Sequence, residues 1–435
     1  MAIGSYASSL LAHETRAMLA RLALVKPFAL QETMLPAAAL LPTAQVAIDR
    51  FLLAGRRELR RLLQAYLHWL EQPKSDAATP AEAQRRFTVL RLKFNIVLVQ
   101  FDMFSDVITQ RSENESGVWL SGLDVVAADA LALPGYYESP SVICYLDRDV
   151  GAAIRRARTR MPGGGDNPVA VVRIPRERMI GTGVASSLVH EVGHQAAALL
   201  DLVESLRPTL RGLQRGAGSA RIAWQLWERW ISEIVADFWS VARVGIASTL
   251  GLIGVVSLPR AFVFRLNVND PHPIPWIRVK LSAAMGEALY PHPQWRQLSA
   301  AWEAFYPPAG LVQETQDLLT ALQASMPAFV ALLIHHRPKA LRGRSLLEVM
   351  EPGLRQPARL SALHQLWNSQ PSQMYLASPS LVLAVIGQAR ADGKISPEDE
   401  STLLGKLLTF WALRATVNMS QICAAAPAAR MAAAA

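Results

Sequence analysis

His190, Glu191 and His194 stand together in the run VHEVGHQ, an H-E-x-x-H arrangement. On a helix, residues four apart lie one turn apart on the same face, so both imidazoles can reach one ion. Glu191 lies beside the first imidazole and can take a proton from a water held by the metal without ligating the metal itself. The chain has only nine histidines, so the pattern is no by-product of a His-rich composition. Its flanks, GVASSLVHEVGHQAAALLDLV, are apolar or small on both sides. A helix that is apolar all round is buried, and a buried His-Glu-His group is costly without an ion or a partner. Zn2+ suits this donor set, and hydrolysis by an activated water is the chemistry it would support.

A catalytic zinc takes three protein ligands and keeps one position open. The metzincin arrangement would put a third His six residues after His194, where Leu200 stands, so that subclass is excluded. Downstream, WISEIVADFW supplies Glu233 and Asp237, again four apart on one helix face. Glu233 can complete the coordination. Asp237 can accept the outer N–H of an imidazole, that of His190 in this reading, and so fix its tautomer. An acidic edge on a surface helix is the bland alternative, and it fits poorly because Ile231, Ile234, Val235, Phe238 and Trp239 surround the two acids. Asp201 and Glu204 are rival third ligands, too close in sequence to the His pair to fold back onto its ion. Further on, NDPHPIPWIRV places His272 and Arg278 in a Pro-rich loop leading into a helix. A loop His is commonly a plain surface residue; beside such an ion it could donate a hydrogen bond to a developing oxyanion.

The elements that must position these residues are mostly helical. Ala47 to Gln72 carries apolar residues at three and four spacing, and Ala81 to Gln110 continues the theme after a break at PKSDAATP. A polar stretch, Ser112 to Gly117, is expected to end that helical run. Ser141 to Leu146 and Val169 to Ile174 are β-branched runs bounded by turn residues, as strands should be. Between them a short basic helix (RRARTR) and a glycine loop (MPGGGDNP) are expected. That loop reads as a flexible connection, because no Lys-Ser/Thr pair follows to make it a phosphate cradle. Helices are expected from Val184 to about Val203 and from Ile222 to Val241, and amphipathic helices again after Trp295. The fold class is therefore mainly α with a small β-sheet (α+β). A helical region over residues 1–111, a catalytic domain over 112–300, a helical region over 301–420 and a frayed Ala-rich tail over 421–435 are the expected divisions.

The chain of 435 residues has a formal net charge of +9. Its arginines are scattered along helices without interleaved aromatics, so a nucleic-acid partner is not expected. Arg56 to Arg61 and Arg155 to Arg160 are the dense spots, and each fits a solvated helix face. Cys144 and Cys423 are too few and too far apart for a disulfide framework, and the N-terminus lacks the pattern of a secretory signal; a cytoplasmic protein is the expectation. Val244 to Leu258 is apolar throughout but short of the roughly 20 residues that span a bilayer, which makes it a buried helix with peripheral membrane contact as the lesser alternative.

Taken in order, HEVGH, EIVAD and HPIPWIR resemble the gluzincin metallopeptidases that include the CAAX prenyl proteases and their heat-shock membrane relatives. The resemblance covers about residues 168–284. It implies a zincin-like metallopeptidase core with helical flanks, His190, His194 and Glu233 as zinc ligands and Glu191 as general base. It also implies His272 as transition-state stabiliser and Arg278 ordering the cleft or gripping substrate. That family is multi-spanning in the membrane, whereas this chain is expected to be a soluble variant acting on a peptide or protein. The strand Val169 to Ile174 would lie beside the cleft and take an extended peptide as a further strand. From about Ser378, ARADGKISPEDESTLLGKLL has a short similarity to TerB-like domains, and an EF-hand at Asp392 is excluded by its missing oxygen ligands. Two other readings stay open: a protein-interaction scaffold with a structural zinc, and a zinc hydrolase of a small amide.

Overall fold

The computed structural model describes residues 5–26, 28, 35–72, 79–112, 114–147, 151–175, 181–216, 218–267 and 270–434. It is mainly helical with one small sheet and falls into two compact units, one of residues 1–121, 156–170 and 412–435, the other of 122–155 and 171–411.

In the first unit, α1 (Ser5–Leu24) packs against α2 (Pro42–Leu70) and α3 (Pro80–Ile108), which pack on each other. Ile48, Leu52, Leu59 and Leu63 of α2 face Phe87, Phe94, Val97 and Phe104 of α3 within the core, the spacing that buries one stripe of a helix. Thr79 caps α3 by accepting the Glu82 N–H at 3.2 Å, and Pro80 follows in the first turn, where its missing N–H costs nothing. Arg56 to Arg61 lies on α2, as expected of a solvated helix face. PKSDAATP falls mostly outside the described residues.

Three expectations fail here. The polar stretch after Ser112 does not end the helical run, because α4 (Asn114–Leu131) starts inside it. RRARTR forms no helix: Arg158 N–H and Asn167 N–H bond across to Asn167 O and Thr159 O, drawing 156–167 into a hairpin-like turn. The glycine loop is not a loose connection either. Gly163, with φ of +79°, sits so close to α3 that a Cβ would lie 1.9 Å from Ile96 Cγ2, and Gln100 Nε2 donates to Pro162 O at 2.7 Å.

The second unit holds the sheet, β1 (Val142–Asp147), β2 (Ala153–Arg155) and β3 (Ala170–Pro175), in the order β1-β3-β2. β2 and β3 are antiparallel, with Ile154 opposite Val172. Asp124 Oδ1 secures β1 by accepting the Cys144 N–H at 2.7 Å. β3 is thus central and bonded on both sides, so it cannot take a peptide as a further strand. β1 and β2 are the edge strands among the described residues, and it is β2 that packs against the first site helix.

That helix, α5 (Thr182–Leu199), ends at Leu200, and Asp201 at φ +53° turns the chain into α6 (Leu202–Gly216). The expected Ile222–Val241 helix is two: α7 (Arg221–Arg229) and α8 (Ile231–Val244), parted at Trp230, whose ψ of 2° leaves the helical region although its N–H still bonds Leu226 O and its O still accepts from Ile234 N–H, each at 3.0 Å. α9 (Ile246–Val256) packs on α5 and α8, burying Ala247, Thr249, Gly251 and Leu252, which is the core role expected of that apolar run. After α10 (Arg260–Val263), α11 (Pro275–Leu289) packs on α8 and α9, and α12 (Pro293–Phe305) on α11. The helices α13 (Gln313–His335), α14 (Leu346–Met350), α15 (Pro357–Ser369), α16 (Pro371–Leu376), α17 (Pro379–Ala391) and α18 (Pro397–Ala434) complete the chain.

α18 runs through the Ala-rich tail that was expected to fray; alanine is the best helix former and needs no packing to favour that backbone. Among the described residues one helix, α13, is long and apolar enough to cross a bilayer, with 44% of its apolar window buried. The sequence reading missed this helix as a membrane candidate.

Buried tryptophans tie the second unit together, and several of them bond their N–H groups, whereas those of Trp230 and Trp411 are buried without a partner among the described residues. Trp227 donates to Ser325 Oγ at 2.9 Å and stacks on Phe329. Trp239 donates to Ala130 O at 3.0 Å, and Trp276 to Tyr306 O at 2.9 Å. Such bonds matter because an indole N–H buried without a partner costs about 1–3 kcal/mol.

Candidate metal centre

α5 and α8 pack side by side because Gly193, the residue just before His194, presents no side chain to α8. A Cβ there would lie 2.9 Å from both Ala236 Cα and Ala236 O, which are backbone atoms that cannot swing away. This close approach brings His190 and His194 of α5 to Glu233 of α8. His190 Nε2 is 3.3 Å from Glu233 Oε2, and His194 Nε2 is 3.5 Å from Glu233 Oε1. The two rings meet edge to face at 4.9 Å. One donor atom from each of the three residues lies within 4.8 Å of the other two, and the group is largely buried.

These residues can hold a metal ion. Glu233 Oε2 is buried and no donor is aligned on it, although His190 and His272 both stand within 3.3 Å. An anionic oxygen left in that condition is costly in a low-dielectric interior, and a cation bound between it and the imidazoles would satisfy it. Two imidazoles and a carboxylate are also the ligand chemistry of divalent transition metals.

The surroundings hold the group in place. Asp237, one turn beyond Glu233 on α8, puts Oδ1 2.8 Å from His190 Nδ1, a close though poorly aligned contact. Its carboxylate is gripped by Arg278 of α11 through two bonds, Nε to Oδ2 at 2.7 Å and Nη2 to Oδ1 at 2.9 Å. Such a fork-to-fork pair fixes orientation as well as charge. Burial works against the Asp237 charge, yet Arg278 and His190 hold its pKa well below the carboxylate range. Glu233 is likewise buried, and the three neighbouring imidazoles hold it down. Burial disfavours charge on His190, but the adjacent Asp237 and Glu233 outweigh it and lift the pKa to about 9. A bound cation would reverse that preference, since a ligating imidazole must be neutral at the ligating nitrogen.

Glu191 is buried on the same helix, one residue from His190, and stands outside the three-residue group. His272 stands outside it too. It lies on the loop before α11 with 46% of its side chain exposed, and its Nε2 faces Glu233 Oε2 at 3.1 Å. The contact with Glu233 raises its pKa against the opposing effect of burial. Arg278 is engaged by Asp237 and only 12% exposed, a placement that orders the site from behind. The rival ligands are elsewhere: Asp201 is exposed in the α5–α6 turn, and Glu204 is an exposed partner of Arg207 at 3.2 Å.

One residue at this site escaped the sequence reading. Asp270 Oδ1 accepts both the His272 backbone N–H at 3.0 Å and ring Nδ1–H at 2.6 Å. The signal was present as an acid two residues before the His in an Asp-Pro-His run, the spacing of an Asx turn.

Comparison of the chain with family models, with curated proteins and with solved structures finds no match.

Proposed function

We propose that this chain is a zinc-dependent endopeptidase with a zincin-like core, the activity its three motifs resemble. The observation that carries the reading is a buried set of three protein donors, with no fourth among the described residues, beside a buried glutamate. Three ligands leave a position for solvent or substrate, as catalytic zinc requires and structural zinc does not. Zinc bonds of about 2.0–2.1 Å in a tetrahedron set neighbouring ligand atoms about 3.3 Å apart. Each imidazole has an oxygen of Glu233 near that distance, Oε2 at 3.3 Å from His190 and Oε1 at 3.5 Å from His194, so a small side-chain rotation would bring one oxygen to both.

Zinc held by His190, His194 and Glu233 would polarise a scissile carbonyl and acidify water. Glu191 takes the proton from the attacking water and delivers it to the departing amine. Its place one residue from His190 on α5 is the spacing that suits a base for metal-activated water rather than a ligand. Asp237 and Arg278 hold the His190 ring, with Asp237 taking the outer N–H and Arg278 keeping Asp237 ionised. His272 stabilises the charge that develops on the carbonyl oxygen. An extended peptide would bind along β2, the edge strand that packs on α5, where backbone bonds supply affinity and alternate side chains supply selectivity. This replaces β3, which is bonded on both sides.

The test is metal analysis of the purified protein together with cleavage profiling on a mixed peptide library. Wild type should carry zinc and cleave, and Glu191→Gln should retain zinc while kcat falls about 10²–10⁴-fold. Full activity in that variant would refute the mechanism. Zinc without cleavage of any peptide in the wild type would refute the peptidase reading and leave the scaffold and the small-amide hydrolase.

A further inference from the structure

We propose that Asp270 is a positioning residue for His272, fixing which ring nitrogen faces the metal group; the inference rests on the peptidase reading for its kinetic consequence alone. A half-exposed imidazole on a loop ordinarily samples several rotamers and both tautomers. His272 does not have that freedom. One oxygen of Asp270 accepts from the ring Nδ1 and from the backbone N–H of the same residue, so the ring and its own peptide are tied to a single point. Pro271 between them fixes φ and stiffens the turn. A carboxylate only accepts, so Nδ1 carries a hydrogen toward Asp270; Nε2 is the nitrogen left to face Glu233 at 3.1 Å, and beside that second acceptor it carries a hydrogen too, the donor an oxyanion needs.

The rest of the site has no comparable need for such a tether. His190 and His194 are aimed by a helix and by packing, whereas Pro271 and His272 are both exposed, and burial begins only after them at Pro273 and Ile274. Without Asp270 the ring could rotate about its side-chain torsions into solvent at little cost. Asp270 therefore does for the loop imidazole what Asp237 does for His190, with a charge-assisted bond in place of packing.

Two variants separate positioning from other roles. Asp270→Asn keeps an oxygen acceptor in the same place, and Asp270→Ala removes it. Asp270→Ala should lower kcat about 10- to 100-fold, with zinc content and KM essentially unchanged, and Asp270→Asn should restore most of that loss. In a His272→Ala background, Asp270→Ala should cost nothing more, because the two residues act as one unit. Crystal structures of the zinc-loaded variants give a readout independent of activity: the ring should leave Glu233 in Asp270→Ala and stay in Asp270→Asn. A ring that stays in place in Asp270→Ala, or a kcat loss in Asp270→Asn equal to that in Asp270→Ala, overturns the proposal. Absence of cleavage in the wild type would count against the peptidase reading instead, with the ring position still deciding the role of Asp270.

Discussion

The two sides of the site are built differently. The α5–α8 side presents His190, His194 and Glu233 from two tightly packed helices, with side chains only 10–15% exposed and backed by the Asp237–Arg278 pair. The loop side presents His272, 46% exposed and held by one neighbouring carboxylate. Ion binding needs three donors at fixed separations, which rigid helices supply. A group that must meet a substrate needs access and some freedom, and a tethered loop supplies both. Binding and turnover should accordingly fail separately when each side is damaged.

The sharpest way to break that contrast is Glu233→Ala, which should abolish zinc retention and with it all cleavage, as read by metal analysis after dialysis. Next, Arg278→Met leaves Asp237 buried with its main partner removed and should destabilise the fold by about 3–5 kcal/mol in denaturant titration. On the loop side, His272→Ala should leave zinc content and stability unchanged but lower kcat about 10²–10³-fold, equivalent to about 2.7–4 kcal/mol of barrier. If His272→Ala also loses zinc, the two sides are one coordination unit and the contrast fails. Gly193→Ala should cost about 1–3 kcal/mol by forcing α5 away from α8, with weakened zinc affinity as its signature.

The smallest effect lies away from the site. His336, whose Nε2 is 2.8 Å from Ser205 Oγ, has its pKa lowered by burial. A histidine depressed in the folded state favours folding above its unfolded pKa, near 6.5, and that contribution disappears as pH falls through the lower folded value. Wild type should therefore lose thermal stability relative to His336→Gln below about pH 6.5, and the two should run parallel above it.

The helix-borne side was legible because its logic is periodic: His190, Glu191 and His194 share one turn, and Glu233 and Asp237 another. β1 and β3 were legible from their β-branched runs. β2 was not, since three residues are too few to show alternation. The place of β3 at the centre of the sheet depends on pairing with distant chain, which no local pattern records. The break at Trp230 comes from one backbone torsion with neither Gly nor Pro to mark it. Asp270 was overlooked because its value lies in an oxygen shared between a ring and a peptide, a geometric fact that composition does not carry.

The contact between Gly193 and Ala236 has a consequence for ionic radius. With backbone touching backbone, the three donor atoms cannot spread to suit a larger guest, and only side-chain torsions remain to adjust the aperture. Calcium, which demands six to eight oxygens at about 2.3–2.6 Å, finds a single carboxylate among these three donors. The spacing of the donors is thus held by the main chain, at a position bearing no functional group at all.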